Sequence, residues 1–559
     1  MDILKHLRPD SVPQSEPLHD KQVENKAGGY VEPISGLTRI ERFLILGTQG
    51  GTYYAGEREL TLETVKHATQ QLRLQPEETM RLAGDMSDSG RGLRNDPAIL
   101  LLALACADKT NAKVREYGFA QFHRIIRTGG HLLLWFRAMR TLGANVSSGA
   151  SRRTVGAWMT KAGDNLAYQF AKYQQRDGAT QRDVLRAVRP KGLGKNAAVR
   201  WAATGQMQDG EVSRIMVGVF KARGAENAKE CARVIAEYGL TREMVPTQYL
   251  KDPNVWTALL GSMPIGAMIR NLGSMTRVGL LGPLSETEKL VVDRLGSPEK
   301  LRKSRVHPFA VLLAAKAYAH GRPMKGTGAG WEPNRRIGEA LDEAFYACYP
   351  NAPATGKRII LALDVSGSMD GQIAGLPISS REVAAAVALV IANTERNHHI
   401  LGFTNVGGHP LLGFGRSQLT DEVTPLDISP RMRLQDACAY MKKLPMGGTD
   451  CALPWRWALA RRVQADAIVT ITDNETWAGD EHVTVSMSKY RKAMNVEARA
   501  VAAATTATEY SIYPETDPLC LNAVGADASL PLAIAAHLGG RSQQVEEQAE
   551  EAGADSDSV

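Results

Sequence analysis

Asp364, Ser366 and Ser368 fall at alternate positions where the apolar run 359–363 ends. A basic start at Lys357-Arg358 and a Gly-Ser turn bound that run, so it reads as a buried strand presenting one carboxylate and two hydroxyls at its C-terminal tip. Oxygen donors on a turn suit a hard divalent cation, Mg2+ or Mn2+, which keeps several waters and recruits few protein groups. About eighty residues further on, Gly447-Gly448-Thr449-Asp450 supplies another hydroxyl, and a second apolar run, 467–472, ends in Asp473. An Asp and a Ser capping the helix after the strand would look alike in the letters. Thr449 and Asp473, on separate segments, favour the cation.

These groups need elements to hold them. From Lys357 onward, apolar runs at 359–363, 400–403, 467–472, 497–502 and 521–524 alternate with helical patterns at 380–394, 434–443, 454–462 and 485–494. The alternation predicts a doubly wound, Rossmann-like parallel sheet with its site at the C-terminal strand ends, where Asp364 and Asp473 both fall. Residues 37–350 read as helices separated by short Gly-, Pro- or Asp-bearing loops. Asp96-Pro97 ahead of an apolar stretch predicts an N-cap and an N1 proline. Similar units are expected at 119–127, 130–142, 163–173, 181–188, 212–220, 255–260 and 307–319. No tight period emerges, which fits a solenoid of degenerate helical pairs. The polar, Pro-containing residues 1–30 read as a flexible leader. The fold class is therefore α + α/β, with a helical-repeat domain at 31–355, an α/β domain at 356–540 and an acidic disordered tail at 541–559.

Composition bounds the function. A chain of 559 residues needs at least two domains, and 43% hydrophobic with 23% charged residues is the make-up of a soluble globular protein. The longest apolar stretches, 98–107 and 383–392, are about half of a membrane span. The opening Met-Asp-Ile-Leu-Lys-His lacks the layout of a secretory signal. Six scattered cysteines without CxxC spacing predict reduced thiols in a cytoplasmic protein. The His398-His399 pair lacks a helical partner and reads as the flank of a strand. The net charge of +7 conceals polarity: six acids follow Arg541, leaving +13 on the rest. Residues 121–200 carry fifteen Lys and Arg against Asp164, Asp177 and Asp183, a net of +12. A solvated face normally mixes both signs, so a polyanionic partner is expected.

The ion motif resembles the metal-ion-dependent adhesion site of von Willebrand factor A domains. Other blocks, in order, resemble the Ro autoantigen family, a TROVE domain followed by an A domain. They are Thr38-Arg-Ile-Glu-Arg-Phe-Leu-Ile-Leu-Gly-Thr-Gln-Gly-Gly-Thr-Tyr-Tyr54, Lys172-Tyr-Gln-Gln-Arg176-Asp-Gly178, Met263-Pro-Ile-Gly-Ala-Met-Ile-Arg270-Asn271, Val306-His307-Pro308-Phe309, the junction from Ala344 to Arg358, Gly447 to Pro454 and Thr472 to Thr476. Together they span roughly residues 37–538. The resemblance implies that Ser366, Ser368 and Thr449 ligate the ion directly, and Asp364 and Asp473 directly or through water. It also implies a ring of HEAT-like helical repeats closed by the A domain, with single-stranded 3′ ends of misfolded RNAs threading the hole. Y RNA-like RNAs would bind outside, on Arg152, Arg153, Lys161, Lys172, Arg176, Arg182, Arg186, Arg189 and Lys191, while Arg270 either lines the hole or packs. The chain would be a monomeric, non-catalytic homologue of bacterial or phage type. Its partners would be RNA, a protein ligand supplying a carboxylate to the ion and, as in bacterial members, an exoribonuclease such as polynucleotide phosphorylase. One departure stands out. Metazoan members carry a His-containing segment where this chain reads Arg186-Ala-Val-Arg189-Pro190-Lys191, so charge is kept and imidazole stacking is lost.

Among single residues, Arg39 and Arg42 are expected to bond within the protein, and Trp135, Trp158 and Trp201 to fill the core between repeats. Tyr53 and Tyr54 cannot share one helix face, so at least one is expected inside. Two other function classes are weighed. A two-metal hydrolase or nuclease needs several converging carboxylates, whereas this set is rich in hydroxyls, and no Gly-x-Ser-x-Gly, HExxH or Walker A sequence occurs. A metal-dependent adhesion scaffold without an RNA role fits the ion motif and leaves the +12 segment unexplained.

Overall fold

A computed structural model describes residues 12–46, 57–89, 95–193, 196–206, 213–304, 306, 308–323, 329–349, 354–373, 378–405, 422–444, 447–505, 508, 510–524 and 529–539. The chain divides into two compact units: one gathers residues up to 63, 307–313 and 348 onward, and the other holds 64–306 and 314–347. The described chain opens with two short antiparallel strands, β1 (Val23–Glu24) and β2 (Tyr30–Pro33). This corrects the reading of 1–30 as a flexible leader, and it moves the start of the helical domain well beyond residue 31.

The helical unit is a succession of short helices packed on their neighbours: Ala228–Tyr238 lies against both Arg214–Gly224 and Pro253–Ser262. Helix Asp96–Ala107 starts one residue earlier than expected; Asn95 stands at its N-terminus but sends its Nδ2 to the Ile125 carbonyl, 2.8 Å away. The segment expected as a helix at 119–127 breaks at Gln121 into Ala112–Ala120 and Phe122–Ile125. A Cβ on Gly118 would stand 2.9 Å from the Ala105 methyl, so a side chain there would push the two helices apart. Trp135, Trp158 and Trp201 are all buried, as expected.

Within this unit a hairpin, β3 (Gln175–Arg176) and β4 (Ala179–Thr180), turns through Asp177 (φ 48°) and Gly178 (φ 81°), the paired positive φ of a tight hairpin turn. Helix Gln181–Val188 follows at once, opened by a capping box in which Thr180 and Asp183 satisfy each other's backbone N–H. It buries Val184, Leu185 and Val188 and leaves Arg182 and Arg186 exposed.

In the other unit six strands form one sheet in the order β11-β9-β8-β5-β6-β7, from β5 (Ile359–Asp364), β6 (His398–Phe403), β7 (Val423–Pro425), β8 (Ala467–Thr472), β9 (Arg499–Ala504) and β11 (Cys520–Val524). Five are parallel, and β7 pairs antiparallel with β6, so the sheet is mixed where a purely parallel one was expected. Both β5 and β8 are buried along their whole length, the reason their sequences are continuous apolar runs. Arg358 grips Asp466 beside the starts of these strands (2.6 Å), and Glu395 accepts the Thr355 and Gly356 amides at 2.6 and 3.1 Å, fixing entry into the sheet. A two-residue strand, β10 (Tyr510–Ser511), pairs with β2. All six cysteines are unpaired thiols. Among the described residues no helix is long and apolar enough to cross a membrane.

Candidate metal centre and candidate nucleic-acid interface

β5 delivers Asp364 fully buried to the C-terminal edge of the sheet. One of its carboxylate oxygens accepts the Ser366 amide (2.9 Å) and the other the Thr472 hydroxyl (2.9 Å), so neutral donors hold both. The hydroxyls of Ser366 and Ser368 lie 3.1 Å apart. Asp473, at the end of β8, accepts the Glu475 amide at 3.1 Å and bonds the Ser368 side chain. Burial, then the charge of Asp473, drives the Asp364 carboxyl well above the usual carboxylate range, and burial also raises Asp473. Four of the five residues expected at the ion are thereby directly linked.

The fifth, Thr449, joins through its loop. Gly448 and Asn405 exchange backbone hydrogen bonds of 2.7 and 2.9 Å, tying the loop to the end of β6. Gly447 passes so close that a Cβ would sit 1.9 Å from the Asn405 carbonyl oxygen. The Thr449 carbonyl accepts the Trp477 and Ala478 amides and the Thr476 hydroxyl, which ties it to the loop after β8. Three loops from the adjacent strands β6, β5 and β8 are thus clamped together. Trp477, 42% exposed, lies beside Gly448 at the rim.

Several contributors were not foreseen. Arg381, fully buried on helix Ser380–Thr394, donates to Asp370 (2.7 Å) and to the Ser366 carbonyl (3.2 Å), bracing the serine turn from behind. Asp450, buried beside Thr449, is pushed up to about 7 by burial, and its Oδ2 has no hydrogen-bond partner. The N-terminal segment straps the 473–482 region. Asn25 donates to the Thr476 carbonyl (2.6 Å), the Gln14 amide to the Gly479 carbonyl (3.1 Å), and Glu16 offers its carbonyl to His482. Arg42 donates to the Thr508 and Tyr510 carbonyls, the intramolecular role expected of it. The Tyr510 hydroxyl in turn donates to Glu475, which burial pushes up to about 7. Capping-type residues with long-range partners leave no periodic trace in a sequence, so the letters of the strap do not reveal it.

The donor set is hydroxyls and carboxylates, and its buried negative charge is compensated by neutral hydrogen-bond donors at Asp364. That chemistry fits a hard divalent cation. No cluster of three or more His, Cys, Asp or Glu converges among the described residues, so a cation here depends on the serine and threonine oxygens.

The expected RNA-contacting residues fall in two neighbourhoods of the helical unit. Lys172, Arg176 and Arg182 line one cleft of about 750 Å3. Lys172 stands over the rings of Tyr168 and Tyr173, 5.5 Å from each centroid, and Arg176 lies 3.8 Å from Asp96. Arg182 donates to the Ala203 and Thr204 carbonyls and so caps the end of helix Ala197–Thr204. The second neighbourhood joins helix Gly149–Lys161 to the turn after Val188. Arg152 donates to the Arg189 carbonyl (3.3 Å), and Gly156 lies against Pro190 and Lys191. Arg189 is exposed there in the left-handed conformation, φ 54°. Arg153, Lys161, Arg186 and Lys191 are exposed. Arg270 is exposed on a separate helix, Ile265–Arg277, and does not line this cleft. Tyr53 and Tyr54, and the acidic tail 541–559, lie outside the described residues.

Helical repeats, together with a Rossmann-like sheet carrying a Ser-x-Ser and Thr site at its C-terminal edge, define a TROVE protein with a von Willebrand factor A domain. The TROVE domain model matches residues 23–215 and 226–321, and the Ro60 vWA domain model matches 358–538. The chain is 34% identical over 536 residues to the RNA-binding protein RO60 of Deinococcus radiodurans, covering 95% of this chain and 97% of that one. It is 28% identical to the RNA-binding protein RO60 of Caenorhabditis elegans, over 93% and 90% of the two chains. The crystal structure of the Deinococcus radiodurans RO (RSR) protein superposes with a TM-score of 0.70 at 33% identity, over 91% of this chain and all of that one. The chain belongs to the Ro60 family of TROVE-domain proteins.

Proposed function

We propose that this chain is a non-catalytic RNA-binding protein of small non-coding ribonucleoproteins. It takes structured, Y RNA-like RNAs on its basic helices and accepts single-stranded 3′ ends of misfolded RNAs for quality control or processing. The observation that carries the reading is the +12 segment 121–200, whose Arg153, Lys161, Arg186 and Lys191 are exposed to solvent. Two relatives named as RNA-binding proteins support it. Phosphate neutralisation by such a surface makes binding steeply salt-dependent.

In the same reading Ser366, Ser368, Thr449, Asp364 and Asp473 hold a divalent cation, Mg2+ or Mn2+, which supplies a positive centre for a carboxylate brought by a partner protein. An exoribonuclease such as polynucleotide phosphorylase is the partner type that the family resemblance suggests. The hydroxyl-rich donor set favours docking over hydrolysis.

Charge reversal at Lys172, Arg176 and Arg186 tests the RNA surface. Affinity for structured RNA should fall, and the slope of log K against log salt should flatten by about one unit for each phosphate no longer neutralised. Unchanged affinity and slope, or cleavage of labelled RNA by the purified wild type in Mg2+, would overturn the reading.

A further inference from the structure

The cleft lined by Lys172, Arg176 and Arg182 holds more than cations. Arg223 also lines it, with its guanidinium over the Trp201 ring, 5.4 Å from the centroid, and bonded to the Gln174 side chain. At the lining, Trp201 is 4% exposed and its Nε1 has no hydrogen-bond partner; Gln181 is 3% exposed and its Oε1 has none. The orientation of the Gln181 amide is fixed, because its Nε2 donates to the Gly129 and Tyr173 carbonyls at 3.2 and 2.9 Å. One buried donor and one buried acceptor therefore stand unsatisfied in one cleft. Buried groups of this kind are rare, because leaving them unpaired is costly, and a ligand is one way of completing them.

The ligand must carry negative charge for four cations, which outweigh the single acid Glu243. It must also offer an acceptor and a donor together on a flat body that can lie against an arginine–tryptophan stack. An inorganic anion offers no donor, and an apolar ligand satisfies neither group. A nucleotide has all three: a phosphate, a base edge with donors and acceptors, and a π-face. A cleft of about 750 Å3 is within the range of small-molecule sites, roughly 300–1,000 Å3.

We propose that this cleft is a mononucleotide subsite, with the phosphate among Lys172, Arg176, Arg182 and Arg223 and the base edge at Gln181 and Trp201. The nucleotide is either free in solution or an unpaired residue of a bound RNA. The second source rests on the RNA-binding reading above; the chemistry of the cleft does not. A base within a duplex has its pairing edge occupied and both faces stacked, so it cannot enter.

The test titrates the full chain calorimetrically with the four nucleoside 5′-monophosphates. In parallel it measures affinity for two hairpin RNAs that differ only by one unpaired nucleotide. Monophosphate binding is expected, together with preference for the hairpin bearing the unpaired nucleotide. Both should fall about tenfold in Arg223→Met and in Trp201→Phe, the worth of one stacked base, with affinity for the fully paired hairpin unchanged. Trp201→Phe keeps a buried ring and removes the N–H, and melting curves establish that each variant is folded. Monophosphate binding without hairpin preference supports the subsite and assigns it to free nucleotides. Equal binding of both hairpins with no monophosphate binding overturns the subsite and leaves RNA binding intact. Binding of monophosphates but of neither hairpin does the reverse.

Discussion

With the Ser366 and Ser368 hydroxyls 3.1 Å apart and Asp364 held by its own hydrogen bonds, a cation at this site meets mainly neutral oxygens and keeps much of its charge for a partner. Replacing both serines by alanine removes two direct ligands without disturbing the core. We expect divalent-cation binding, read by calorimetry, to be abolished while RNA affinity and thermal stability in chelator stay near wild type. Retained cation affinity in the double variant would place the ion elsewhere. The acids give a pH signature. Burial raises the Asp364 and Asp473 carboxyls above their unfolded value of about 4. Without a cation, their contribution to stability is fully present below that value and is lost as pH rises through the raised folded values. A cation needs them ionised, so its stabilising effect must grow with pH over the same window. At about a hundredfold excess over Kd the increment approaches about 2.7 kcal/mol. Melting with and without Mg2+ at pH 5 and at pH 8 measures it, and an equal increment at both would contradict the assignment.

At the scale of elements, the site depends on a strap as much as on its strands. Gly29 runs so close to the loop after β8 that a Cβ would lie 2.1 Å from the Thr476 carbonyl oxygen, and Thr476 in turn holds Thr449. Gly29→Val should therefore lift the strap, lower stability by about 1–3 kcal/mol and weaken cation binding, although residue 29 touches no ligand. Unchanged melting and calorimetry would show that the strap is dispensable. The strap is also where sequence reading failed. β5 and β8 are legible because strands buried on both faces must be apolar throughout, and Asp364, Ser366 and Ser368 because their spacing is local. β1 and β2 are two and four residues long, mostly polar, and gain their meaning from β10, about 480 residues away. Arg381 is hidden for a related reason: on helix Ser380–Thr394 its letter is that of any surface arginine, and only the fold turns it inward. Trp201 was correctly expected inside, yet nothing in the sequence showed that its N–H would be left unpaired.

For the whole chain, the proposed handling of 3′ ends predicts a preference among RNAs. A 3′ single-stranded extension offers unpaired bases and a flexible backbone that a blunt duplex withholds. Tailed RNA should bind more tightly than blunt RNA of equal length in competition assays, and equal affinities would reduce the interaction to surface phosphates. The excess of +13 on residues 1–541 makes the salt concentration part of any such comparison.

The pairing of β2 with β10 joins Pro33 to Tyr510 and Glu32 to Ser511, which sets a timetable for the ribosome. Residues 64–306 are a continuous stretch of the helical unit and can begin to fold as they emerge. The N-terminal strands must wait for partners still to be synthesised. At roughly 5–20 residues per second that wait is on the order of half a minute or more. For most of it the edge of β2 is open and the loop carrying Thr476 does not yet exist. A chain cut short before residue 510 would therefore carry most of the basic surface with the β2 edge unpaired. The ability to hold a cation thus becomes a mark of a finished polypeptide.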